Sequence, residues 1–132
     1  KGQAKYDVVR VGGNGRLDTI QAAILLSKLT VFDQERNARD ELASYYDSRL
    51  AEVATIPQRM NDRDSAWAQY TICIENRDDV AARLKEKGIP TAVYYPLPMH
   101  MQTAYAKYGD DEGTLPISED LCGRVLSLPM HP

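Results

Sequence analysis

The chain is poor in the residues that usually announce a specialised chemistry: its 132 residues include two cysteines, two histidines, one tryptophan and one phenylalanine. Cys73 and Cys122 allow at most one disulfide, which excludes a disulfide-stapled scaffold, and both read as small apolar thiols of a reducing, cytoplasmic compartment. His100 and His131 are far apart, and neither has Cys or carboxylate company at ligand spacing, so no metal site is expected. No stretch reaches the ~20 apolar residues of a bilayer span, and no segment has the pattern of a signal peptide. Lys and Arg form no run, and 16 of them against 19 Asp and Glu leave a net charge of −3. That balance argues against an electrostatic grip on nucleic acid or on an anionic membrane. A phosphate loop, a dinucleotide fingerprint, a nucleophile elbow and internal repeats are all missing as well.

What remains is a globular composition, 43% hydrophobic and 27% charged, on a chain long enough to bury a core without staples. It opens on Lys1-Gly2-Gln3 without an initiator Met and stops on Met130-His131-Pro132, and the expectation is that it forms part of a longer protein.

Local patterns predict the elements. Asp18 with Gln21 three residues on predicts a capped helix start, and Ile20 to Leu29 is apolar around more than one stripe, so this helix needs cover on several sides. Ala38, Leu42, Tyr45, Tyr46 and Leu50 recur at helical spacing among charges and predict an amphipathic helix from Phe32 to Leu50. Pro57 to Asp64 reads as an exposed connection. Alternation from Trp67 to Ile74 predicts a half-buried strand with Tyr70, Ile72 and Ile74 on one face. Asp78 and Asp79 suit a helix start, and Gly88 its end. Thr91 to Tyr95 reads as a second strand, Pro96-Leu97-Pro98 as an extended turn, and Met99 to Tyr108 as a short helix ended by Gly109, with a loop from Asp110 to Gly113. Pro116 begins a helix to about Arg124, and Val125 to Leu128 forms a final strand. The fold class is therefore α+β, with short strands covered by helices.

Two stretches could carry chemistry. Val11-Gly12-Gly13-Asn14-Gly15-Arg16 is either a tight turn, since Gly and Asn tolerate positive φ, or a loop that offers the Asn14 amide and the Arg16 guanidinium to an anion beside a helix start. Tyr94-Tyr95-Pro96-Leu97-Pro98-Met99-His100 sets two phenols, a stiff proline step and an imidazole within reach of one polar pocket; core or hairpin packing is the alternative.

In order along the chain stand Gly13-Asn14-Gly15-Arg16-Leu17-Asp18 leading into Ile20-Gln21-Ala22-Ala23-Ile24-Leu25, then Ser65-Ala66-Trp67 before Tyr70. Lys87-Gly88-Ile89-Pro90-Thr91 follows, leading to Tyr95-Pro96-Leu97-Pro98-Met99-His100, and Leu126-Ser127-Leu128-Pro129-Met130-His131 comes last. Together these motifs resemble the C-terminal part of the DegT/DnrJ/StrS nucleotide-sugar aminotransferases. The resemblance implies a fold type I transferase dependent on pyridoxal 5'-phosphate, in which residues 1–52 end the large domain and supply interdomain and dimer-interface helices. Residues 53–132 would form the small C-terminal α+β domain. It further implies a homodimer that passes an amino group, with glutamate the expected donor, to a nucleotide-linked keto-sugar in polysaccharide or sugar biosynthesis. By the same resemblance Asn14 reaches the cofactor phosphate of the partner subunit, and Arg16, Tyr94, Tyr95 and His100 contact substrate. The family often has His where this chain has Ala68 and Tyr94, which bears on specificity. The lysine that carries the cofactor is expected upstream in the large domain: none of Lys1, Lys5, Lys28, Lys85, Lys87 and Lys107 sits in the matching motif, so residues 1–132 alone are expected to be inactive. A stand-alone binding or dimerisation module descended from such an enzyme, or an unrelated small α+β enzyme, are the competing expectations.

Overall fold

The computed structural model describes residues 7–13, 15, 17–108 and 114–131. Its elements run α1 (Thr19–Leu29), α2 (Phe32–Leu50), β1 (Tyr70–Cys73), α3 (Arg77–Glu86), α4 (Pro116–Arg124) and β2 (Val125–Leu128), with a short 3-10 turn at Met99–Met101 between α3 and α4. The architecture is α+β, as the residue pattern and the family resemblance imply.

Local chemistry explains the helix ends. The Asp18 carboxylate accepts the Gln21 N–H at 2.7 Å, satisfying one of the donors that a helix start leaves open. Pro116 occupies the first turn of α4, where its missing N–H costs nothing. α3 starts one residue before the expected acidic pair, and Gly88 follows its end at φ +75, a backbone conformation that favours glycine.

β1 and β2 pair antiparallel, Tyr70 opposite Leu128 and Ile72 opposite Leu126. Tyr70 and Ile72 share the buried face of β1 as expected, but the strand begins three residues later than the alternation suggested. Trp67 instead takes φ +46 and turns its ring into the core. The core comprises Ala43, Trp67, Tyr70, Ile72 and Leu126, with Tyr46 and Leu50 of α2 and Val80, Ala81 and Leu84 of α3 packed against it. The buried stripe of α2 therefore passes through Ala43, Tyr46 and Leu50, while Tyr45 faces out. At the base of the sheet the buried Arg77 donates to the Val125 carbonyl at 3.1 Å, and the Tyr46 hydroxyl donates to the Pro129 carbonyl at 2.9 Å.

Two expectations are corrected. Thr91 to Tyr95 is not a strand: only Ala92 bridges to Ser127, through a reciprocal pair of backbone hydrogen bonds. Pro90, Pro96 and Pro98 have no N–H to extend a ladder. Met99 to Tyr108 is not one helix either. The 3-10 turn ends at Gln102, whose ψ of 138 is extended, and the following turns close through bonds such as Tyr105 N–H to Gln102 C=O and Tyr108 N–H to Tyr105 C=O. Gly109 and the expected loop over 110–113 lie outside the described residues. α1 buries none of its side chains within this chain.

Candidate functional site

The Tyr94–His100 stretch begins two residues after Ala92, which borders β2. Ala92 is pinned to Ser127, and the Ser127 hydroxyl is paired with Thr71 Oγ1 at 2.7 Å, so the stretch leaves a fixed point on the sheet. The Tyr94–Tyr95 peptide is cis. The two rings meet edge to face, with centroids 5.8 Å apart and planes at 73°, a favoured arrangement for aromatic pairs. Tyr94 is half-buried, whereas Tyr95 is 59% exposed and carries its phenol at the surface. Tyr94 lines a cleft of about 240 Å³ together with Ala68, Gln69, Thr91, Ser127 and Met130. Ala68 and Tyr94 thus border one cavity.

His100 sits differently. Only 9% exposed, it directs Nε2 to Glu119 Oε1 of α4 at 3.0 Å, and the same oxygen accepts the Leu115 N–H at 3.3 Å. One face of the imidazole chemistry is therefore spent on holding the turn to α4. The partner of His100 was not readable from the sequence, because Glu119 looks there like an ordinary acid of a helix's first turn. Gln102 was missed as well: it is 4% exposed, and its amide is held at both ends, by Val8 and by Leu97.

Asn14 and Arg16 lie outside the described residues. Their neighbours Gly12, Gly13 and Gly15 are exposed, none has positive φ, and a Cβ at any of them would meet nothing within 4 Å. The tight-turn expectation therefore has no support from these three glycines.

A second polar constellation, unforeseen from the residues alone, joins α2 to the 57–67 connection. Arg59 reaches Asp40 Oδ1 at 2.8 Å and Asp47 Oδ2 at 2.7 Å, and its guanidinium lies 5.0 Å from the centre of the Trp67 ring. Trp67 Nε1 donates to Asp40 at 2.8 Å, and the Tyr70 hydroxyl donates to Asp47 at 2.7 Å. The Trp67 hydrogen bond, then Arg59, holds the Asp40 carboxyl below its ordinary range. Burial, then the Asp47 carboxylate, pushes the Tyr70 phenol up. Arg59 is shared between the two acids, whose remaining bonds go to Trp67 and Tyr70, so this constellation fixes the loop to α2.

Among the described residues no group of three or more His, Cys, Asp and Glu could hold a metal ion, and no helix is long and apolar enough to cross a membrane. Both cysteines are free thiols, and burial raises that of Cys122.

The order of motifs, the small antiparallel sheet and its covering helices find their counterpart in known proteins. The model of the DegT/DnrJ/EryC1/StrS aminotransferase family matches residues 1–132, and the chain belongs to that family. It is 45% identical over 129 residues to the UDP-2-acetamido-2-deoxy-3-oxo-D-glucuronate aminotransferase of Pseudomonas aeruginosa, covering 97% of this chain and 35% of that protein. It is 39% identical over 130 residues to the dTDP-3-amino-3,4,6-trideoxy-alpha-D-glucose transaminase of Streptomyces venezuelae, covering 97% of this chain and 34% of that protein. The crystal structure of a DegT DnrJ EryC1 StrS aminotransferase from Brucella abortus superposes with a TM-score of 0.82 at 51% identity, over 99% of this chain and 35% of that one. The chain thus spans about a third of the length of the relatives it matches.

The described residues do not bring together what pyridoxal phosphate needs, a lysine amine facing a cleft with phosphate donors beside it. Lys28, Lys85, Lys87 and Lys107 are all exposed, and none lines the cleft at Tyr94 or the one at Trp67.

Proposed function

We propose that this chain is the C-terminal part of an aminotransferase that depends on pyridoxal 5'-phosphate and moves an amino group from glutamate onto a nucleotide-linked keto-sugar, for polysaccharide or sugar biosynthesis. The observation that carries this reading is the match of residues 1–132 to the family, together with relatives whose names specify amino transfer on UDP- and dTDP-linked sugars. The working unit is a cytoplasmic homodimer. Residues 1–52 close the large domain and supply interface helices, and 53–132 form the small domain. The cofactor is held mainly by large-domain residues outside 1–132, where the catalytic lysine belongs, so the chain by itself is inactive.

Within the chain, Asn14 serves the cofactor phosphate of the partner subunit, for which an amide donor is suited. Arg16 offers a planar pair of donors to a substrate anion. Tyr95 presents its exposed phenol to the sugar, and Tyr94 shapes the neighbouring cleft. His100, anchored on Glu119, keeps the far end of this wall in place and turns its remaining edge toward the ligand.

The intact protein tests the reading. It should retain pyridoxal phosphate through dialysis and convert a UDP- or dTDP-linked keto-sugar in the presence of glutamate. Asn14→Ala should weaken cofactor retention about tenfold or more, the loss of a charge-assisted hydrogen bond. An intact protein that holds no cofactor refutes the function; unchanged retention in Asn14→Ala refutes only the role of that residue.

A further inference from the structure

Gln102 stands out among the buried polar residues because both ends of its side chain serve distant backbone. Its Oε1 accepts the Val8 N–H at 3.1 Å across 94 residues of chain, and its Nε2 donates to the Leu97 carbonyl at 3.4 Å. The Val8 carbonyl in turn accepts the Ala104 N–H at 2.8 Å. Both backbone groups of Val8 are therefore held by the Gln102–Ala104 turn, although Val9 to Gly13 immediately afterwards is exposed. Leu97 lies between the two prolines of the Tyr95–His100 stretch, where Pro96 and Pro98 offer no N–H of their own.

A carboxamide supplies a donor and an acceptor at fixed separation without charge. Buried at 4% exposure, it cannot trade either partner for water, so losing one leaves the other group unsatisfied. The 3-10 turn holds the side chain in place: the Gln102 N–H donates to Met99 C=O, and its own C=O accepts from Tyr105 and Ala106.

We infer that Gln102 is a positioning residue whose amide ties the backbone leading to Gly12 and Gly13 to the Tyr95–His100 wall, so that both stretches meet a ligand as one unit. Its catalytic consequence rests on the function proposed above; the tie itself does not.

Hydrogen exchange and kinetics on the full-length enzyme separate the two. In the unaltered enzyme the Val8 amide should exchange at least about tenfold more slowly than that of Val11, because a buried acceptor holds it. Gln102→Met, which keeps the length and apolar volume but neither polar end, should remove that protection while leaving Tyr70 and Ile72 protected. Gln102→Glu keeps an acceptor for Val8 but no donor for Leu97, and should retain much of it. With UDP-2-acetamido-2-deoxy-3-oxo-D-glucuronate as the probe, Gln102→Met should raise KM about tenfold with kcat within about threefold, and Gln102→Glu should fall between it and the unaltered enzyme. Fast exchange at Val8 in the unaltered enzyme overturns the tie, a result that needs no variant to fold. Unchanged KM in a folded Gln102→Met enzyme overturns the positioning role. If the unaltered enzyme does not turn over this probe, the dTDP-linked keto-sugar takes its place in the KM comparison, and the exchange data decide the tie in either case.

Discussion

The indole N–H of Trp67 and the guanidinium of Arg59 converge on one oxygen, Asp40 Oδ1, each at 2.8 Å. Asp40 lies on α2 and Trp67 at the mouth of β1, so this oxygen joins the long helix to the sheet. The left-handed backbone of Trp67 makes the geometry possible by turning the ring inward from a loop.

Trp67→Phe removes the donor and keeps most of the apolar volume. The expected loss is about 1 kcal/mol of unfolding free energy in urea at pH 7, that of one hydrogen bond to a charged acceptor beside water. Asp40 is held below its ordinary 3.8, first by Trp67. A depressed carboxyl contributes stability above its unfolded value and loses it as pH falls through the folded one. The gap between the two proteins should therefore be full at pH 7 and close below about pH 4. A gap that persists in acid would assign the loss to packing instead.

Glu119→Ala deprives the buried His100 of its Nε2 partner, whereas Glu119→Gln retains an oxygen that can accept. The alanine variant should lose about 1–3 kcal/mol and the glutamine variant less than half as much, as read from unfolding midpoints of the two proteins. Equal losses would mean that the charge of Glu119, and not its hydrogen bond, holds the turn.

Residues 1–132 produced alone should self-associate through α1. Ile20 is 75% exposed, Leu26 68% and Leu29 61%, an apolar face larger than soluble monomers usually leave to water. Sedimentation velocity should show dimers or larger species, and Ile24→Lys with Leu26→Lys should return the chain toward a monomer. A monodisperse unaltered chain would contradict this.

Ala68→His should narrow the cleft it shares with Tyr94. If that cleft takes part of the sugar, KM for the accepted keto-sugar nucleotide rises about tenfold in the intact enzyme with little change in cofactor retention. An unaffected KM would place the sugar elsewhere.

Elements governed by neighbours in sequence were legible: the Asp18 cap, Pro116 at a helix start, Gly88 after a helix end, the buried alternation of Tyr70 and Ile72. Those governed by distant partners were not. Ala92 has strand-like bonds only because Ser127 lies beside it, and no periodicity in 91–95 reports that. The Tyr94–His100 stretch could be singled out for its side chains, but the divergence of an exposed Tyr95 from a buried His100 depends on Glu119. Gln102 carries no signal at all in one dimension, since its two partners are main-chain groups that every residue possesses.

The sheet has a consequence for biogenesis. β1 pairs along its length with β2, its last residue Cys73 also bridging to Thr55, and residues 74–124 lie between the two strands, so the sheet closes through a long-range contact and not through a hairpin. During synthesis the apolar face of β1 must wait until Leu126 and Leu128 have left the ribosome, and for that interval Tyr70 and Ile72 are the surfaces that a chaperone would hold.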